Sequence, residues 1–83
     1  MIEVEVKQED IACARQDSVS MNPISVACFR ELGRPCDVFE GGWVEINGKA
    51  YQLLHEVVNA LELFDKTGVM TPLKVEFVPV NSL

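Results

Sequence analysis

Histidine is nearly missing from this sequence: His55 stands alone, beside one tryptophan, Trp43, and one tyrosine, Tyr51, in 83 residues. A cysteine nucleophile needs an imidazole at its side and a third group to orient it. His55 falls on the wet face of a helical pattern, whereas Cys28 falls on an apolar stripe and reads as a buried, inert thiol. Close cysteine pairs are also missing. From Cys13 to Cys28, Cys36 and His55 the intervening stretches are 14, 7 and 18 residues, unlike the tight ligand pairs of structural zinc. The glycines of "EGGWVEINGK" lie between strand patterns, outside the strand-to-helix setting of a phosphate loop. Glu40 and Glu45 are carboxylates that no spacing selects as an acid–base pair, and solvated surface acid is their default. No catalytic, cofactor-binding or metal-binding residue is assigned, and the chain is not read as an enzyme.

Basic residues are scarce too, 7 against 13 acidic, for a net charge of −6. A field of that sign opposes direct binding to nucleic acid or an anionic membrane and favours a partner with a basic surface. No apolar run approaches the ~20 residues that span a bilayer. The opening "MIEVEVKQED" has neither a basic n-region nor an apolar h-region, so no signal peptide is expected. Three cysteines without an even set fit a reducing cytoplasm.

What is present is a well-punctuated small domain. An apolar fraction of 48% with 24% charged residues suits a globular chain, and one α+β domain over residues 1–83 is expected. "IEVEVK" alternates with period two, so Ile2, Val4 and Val6 face inward and Glu3 and Glu5 outward. "QEDIACARQ" suits a short helix with Ile11 and Ala14 packed, followed by a loop. In "SMNPISVACFREL", Asn22 is a cap, Pro23 takes the first helical position, and Gly33 with Pro35 ends the helix. Ile24, Ala27, Cys28 and Leu32 form its stripe; Val26 and Phe29 widen it, which predicts cover on two sides. Ser25 has no place in that punctuation.

The segment "CDVFEGGWVEINGKAYQL" reads as a meander with two-residue turns at Gly41-Gly42 and Asn47-Gly48. "LLHEVVNALELFDKTG" reads as the clearest helix, burying Leu54, Val57, Val58, Leu61 and Phe64, with Gly68 as its stop. The last strand puts Leu73, Val75 and Phe77 inward, and Pro79 belongs at its end or on an edge. The expected architecture is a sheet of four or five mostly antiparallel strands with two main helices on one face.

Glu3, Glu5, Glu45 and Glu76 then fall together on the outer sheet face. Such a field suits a basic groove that otherwise receives nucleic acid. Trp43 shares the parity of Glu45. Two arrangements are open for it: an exposed anchor of the kind that dominates interfaces, or a ring covered by "QEDIACARQ".

Three stretches, "VEVKQEDIACA", "NPISVACFREL" and "FDKTGVMTPLKVEF", resemble a family of small phage-encoded proteins. Its members open with a strand and a Gln-Glu-x-Ile stretch, continue with a Cys-Pro-initiated helix, and end with Phe-Asp, a glycine turn and a Pro-led strand. The matching positions are Gln8 to Ile11, Pro23 to Leu32, Phe64-Asp65 and Pro72 to Phe77. Asn22 stands where relatives often carry cysteine, so no redox or metal role of that cysteine carries over. The resemblance implies a phage or mobile-element origin and a bacterial host cytoplasm. A small acidic protein of that origin without catalytic signatures is expected to be a noncatalytic, anti-CRISPR-like inhibitor that binds a host protein, such as a CRISPR effector complex. On this reading Trp43, Glu45, Glu3, Glu5 and Glu76 form the partner-binding set. The other reading is a phage accessory protein that self-associates, as a homodimer or larger, through an open sheet edge.

Overall fold

The computed structural model describes residues 2–80. Five strands form one sheet in the order β1-β5-β4-β3-β2, and every pairing is antiparallel. The strands are β1 (Ile2–Val6), β2 (Cys36–Val38), β3 (Trp43–Ile46), β4 (Lys49–Leu53) and β5 (Leu73–Pro79). The helices are α1 (Gln8–Cys13), α2 (Pro23–Leu32) and α3 (His55–Thr67). The chain is α+β as expected, and the sheet curls into a half-barrel.

Period-two alternation decides which face is covered. Val4, Val6, Val44, Ile46, Tyr51, Leu53, Val75 and Phe77 are all buried, and each strand's intervening residues face out. Their inward side chains join Ile11, Ile24, Cys28, Val57, Leu61 and Phe64 of the helices in one core. The helices therefore line the concave face and leave the convex face bare. Helix α2 packs against both β1 and β2, the two ends of the sheet, and so fills the mouth of the half-barrel.

Capping chemistry fixes α2. Asn22 Oδ1 accepts the amides of Ile24 and Ser25, both at 3.0 Å, and Gly33 closes the helix in the left-handed conformation. Ser25, unexplained by sequence, is buried, and its hydroxyl donates to the Val19 carbonyl at 3.2 Å. Pro79 ends β5, an interior strand.

Three expectations are corrected. Phe29 is 60% exposed, so α2 is covered on one side and not two. Leu54 is 41% exposed because it is the residue before α3, still on the outward parity of β4. The Gly41-Gly42 connection is a 3₁₀ turn over Glu40–Gly42 instead of a two-residue hairpin. Gly42 lies beside Val58 and Gln52, so α3 packing on this turn overrides the simple hairpin. Asn47-Gly48 is the two-residue turn expected, with both residues at positive φ.

Each edge strand has one residue engaged by the chain's own groups. On β1, the Glu5 amide donates to Glu31 Oε2 at 2.8 Å, and the Glu5 carbonyl accepts from Arg30 Nη2 at 2.7 Å. On β2, the Val38 amide donates to the Val19 carbonyl at 2.9 Å. Those groups are taken out of the template on which another strand would pair.

Candidate functional site

The convex face follows from strand register. On β3, Trp43 and Glu45 point outward, and Trp43 is 44% exposed. Glu45 lies opposite Asp37 of β2 on one side and Ala50 of β4 on the other. Trp43 lies opposite Gln52, which in turn lies opposite Val78 of β5. Of the two arrangements open for Trp43, the exposed one holds. Segment 8–16 does not cover it, because α1 buries Ile11 in the core on the opposite face.

The expected acidic field divides in two. Glu3 and Glu76 face each other across β1 and β5, while Glu5 faces Lys74. Glu45 is on β3, three strands away from β1, or about 14 Å at ~4.8 Å per strand. Between them β4 offers the neutral Ala50 and Gln52. The two acidic patches are thus Glu3 with Glu76, and Asp37 with Glu45; Trp43 belongs to the second. Glu5 is committed to the fold through its backbone and has a lysine across from its side chain. Asp37 was not singled out from sequence, although it shares the outward parity of β2.

Like charges directly opposite on one sheet face destabilise the sheet. Glu3 opposite Glu76, and Asp37 opposite Glu45, are two such pairs. A cationic surface laid over them removes that repulsion.

A second feature lies at the mouth of the half-barrel. Between α1, α2 and the start of β2 runs an apolar groove of about 430 Å³, lined by Met21, Val26, Phe29, Cys13 and Pro35. Glu9 and Asp37 stand on its rim. Its one signal in the sequence was the excess width of the α2 stripe at Val26 and Phe29.

One end of the groove is held by an ion pair that sequence reasoning missed. Asp10 is 2% exposed, and its carboxylate takes Arg30 through Nε and Nη2, each at 2.8 Å. It also accepts the Lys7 amide at 2.8 Å, starting α1. The Arg30 hydrogen bonds hold the Asp10 carboxyl below its usual value of 3.8, helped by the Lys7 amide and opposed by burial. Asp10 and Arg30 are 20 residues apart, and only their polar character on neighbouring helices hinted at a pair.

Cys28 and Cys36 are buried and Cys13 is exposed. The neighbouring Cys36 and then burial push the Cys28 thiol far up, which favours its protonated form. His55 begins α3 and is exposed. Among the described residues, no three His, Cys, Asp or Glu side chains are grouped to hold a metal ion. No helix among the described residues is long and apolar enough to cross a membrane.

Comparison with protein-family models, with curated proteins and with solved structures gives no match to this chain.

Proposed function

We propose that this chain is a noncatalytic binding protein whose bare convex face docks on a basic surface of a partner protein. The observation that carries the reading is Trp43. It is 44% exposed on a helix-free sheet face, beside the facing carboxylates Asp37 and Glu45. An aromatic ring flanked by acid fits a cationic surface in two ways: apolar contact and cation–π attraction at the ring, Coulomb attraction at the carboxylates. Glu3 and Glu76 form a second contact of the same sign, three and two strands across the sheet from β3. Surfaces with that much positive charge are those that bind nucleic acid, so the chain acts as a competitor for such a site. The net charge of −6 supports this polarity. The phage resemblance supports a host target, a defence complex of the CRISPR effector kind, in a bacterial cytoplasm.

Edge-to-edge self-association is the weaker reading. The Glu5 and Val38 positions at which it would begin are already bonded to Arg30, Glu31 and Val19.

Trp43 is the sole tryptophan, so its fluorescence reports this face directly. Titration with an octalysine peptide is expected to change its emission saturably, with an apparent affinity that falls as salt rises. Unchanged emission, or a change insensitive to salt, would refute docking by charge at this face.

A further inference from the structure

The apolar groove and the convex face are not separate surfaces. Asp37 stands on the groove's rim and lies opposite Glu45 in the sheet register. Glu45 and Trp43 are on the same face of one strand. By strand spacing the path from Asp37 to Trp43 is about 8 Å. One binding segment of a few residues spans both.

The groove's lining says what kind of group enters it. Phe29 at 60% and Met21 at 42% are among the exposed large apolar residues, and both line it. Two of the polar groups that line it are already engaged. Ser25 donates to the Val19 carbonyl, and Arg30 is held by Asp10 and the Glu5 carbonyl. A polar ligand therefore finds few free partners inside, and an apolar one displaces water from Phe29 and Met21. The rim selects charge. Glu9 and Asp37 stand there with no ion-pair partner among the described residues, while the one cation at the groove, Arg30, is neutralised by Asp10.

We propose that this groove receives a large apolar side chain of the partner, presented by a short segment with lysine or arginine on either side. The inference rests on the convex-face reading and adds its missing specificity. Charge at Asp37, Glu45, Glu3 and Glu76 accepts any basic surface; the groove requires one that carries an apolar anchor. A bare polycation then binds weakly, and a basic segment with one phenylalanine or leucine binds in register.

The test is a titration of the isotope-labelled chain followed by amide NMR, with two blocked pentapeptides, Lys-Lys-Phe-Lys-Lys and Lys-Lys-Ala-Lys-Lys. The phenylalanine peptide is expected to shift the amides of Cys13, Val26 and Phe29 together with those of Asp37 and Glu45. The alanine peptide is expected to shift only Asp37 and Glu45 and to bind about tenfold more weakly. In a Phe29→Gln variant, whose exposed position leaves the core intact, the two peptides should bind alike. Shifts at Asp37 and Glu45 with both peptides, and none in the groove, overturn this inference and leave the convex-face reading standing. No shift at either place overturns both. Equal groove shifts from an uncharged Gly-Gly-Phe-Gly-Gly peptide overturn the requirement for basic flanks. A wild-type dimer in sedimentation equilibrium that dissociates in Phe29→Gln overturns the assignment in favour of a second copy of the chain.

Discussion

Replacing Asn22 by alanine removes four hydrogen bonds at one buried point. Its Oδ1 accepts the Ile24 and Ser25 amides, and its Nδ2 donates to the Ser18 and Val19 carbonyls at 3.0 and 3.1 Å. The residue is 1% exposed, so water does not replace these partners in the folded state. Loss of an N-cap of this kind costs about 1 kcal/mol. The Val19 carbonyl keeps other donors, the Val38 amide and the Ser25 hydroxyl, but the Ser18 carbonyl loses the side chain that held it. A partly buried carbonyl stripped of its donor adds roughly 1–2 kcal/mol. The sum is about 2–3 kcal/mol, a large share of the stability of so short a chain. At ~4–8 °C per kcal/mol for a domain of this size, melting should fall by roughly 10–20 °C. Asn22→Ser separates the two contributions. A serine hydroxyl still caps the helix but cannot reach back to hold the loop, so it should lose about half as much. Urea and thermal unfolding followed by circular dichroism measure both variants. If Asn22→Ala costs under ~0.5 kcal/mol, or Asn22→Ser is as damaging as alanine, the capping account is wrong.

Gly42→Ala should destabilise the chain much more than Gly41→Ala, compared in the same unfolding assay. Both positions have positive φ, but a Cβ at Gly42 overlaps the Val58 methyl and crowds Gln52, whereas at Gly41 it meets nothing within 4 Å. Asp10→Asn should lower stability at neutral pH, with the loss vanishing in acid. The depressed Asp10 carboxyl contributes above its unfolded value near 3.8 and loses that contribution as pH falls through the folded one. Unfolding curves of the two proteins at several pH values should therefore begin to approach one another at about pH 4 and meet only below the depressed folded value. With a thiol reagent on the native chain, Cys13 should react quickly and Cys28 and Cys36 only as fast as the fold opens, because the first is exposed and the other two are buried. Three equal rates would contradict the packing of α2 against β2.

Where the sequence spoke through short-range chemistry it was legible. The alternation of β1 and β5, the Asn22-Pro23 start and Gly33 stop of α2, and the Asn47-Gly48 turn each depend on a few neighbouring residues. The parity that put Trp43 beside Glu45 on the outer face belongs to the same class. What failed depended on distant partners. Whether Phe29 is covered is decided by which element crosses α2, and periodicity carries no such information. Leu54 fits the α3 stripe by spacing, yet it precedes the helix and keeps the outward direction of β4. The acidic residues did share a face, but strand order separated Glu45 from Glu3, and strand order is not written in alternation. The Asp10–Arg30 pair joins two helices through space, and nothing local marks either residue as the other's partner.

The account turns on the convex face meeting a cationic protein surface, and one comparison addresses that directly. The tagged wild-type chain and a doubly charge-reversed variant, Glu45→Lys with Glu76→Lys, are used to capture proteins from bacterial lysate at about 0.1 M and about 1 M ionic strength, between which the screening length falls from ~10 Å to ~3 Å. Both substituted side chains lie on the outer face, so the variant is expected to fold, which circular dichroism checks. The account predicts that the wild type retains a nucleic-acid-binding protein or complex at low salt, releases it at high salt, and releases it on adding competing nucleic acid, while the variant retains none of it. Capture that is the same for both chains, or that survives high salt unchanged, would contradict it.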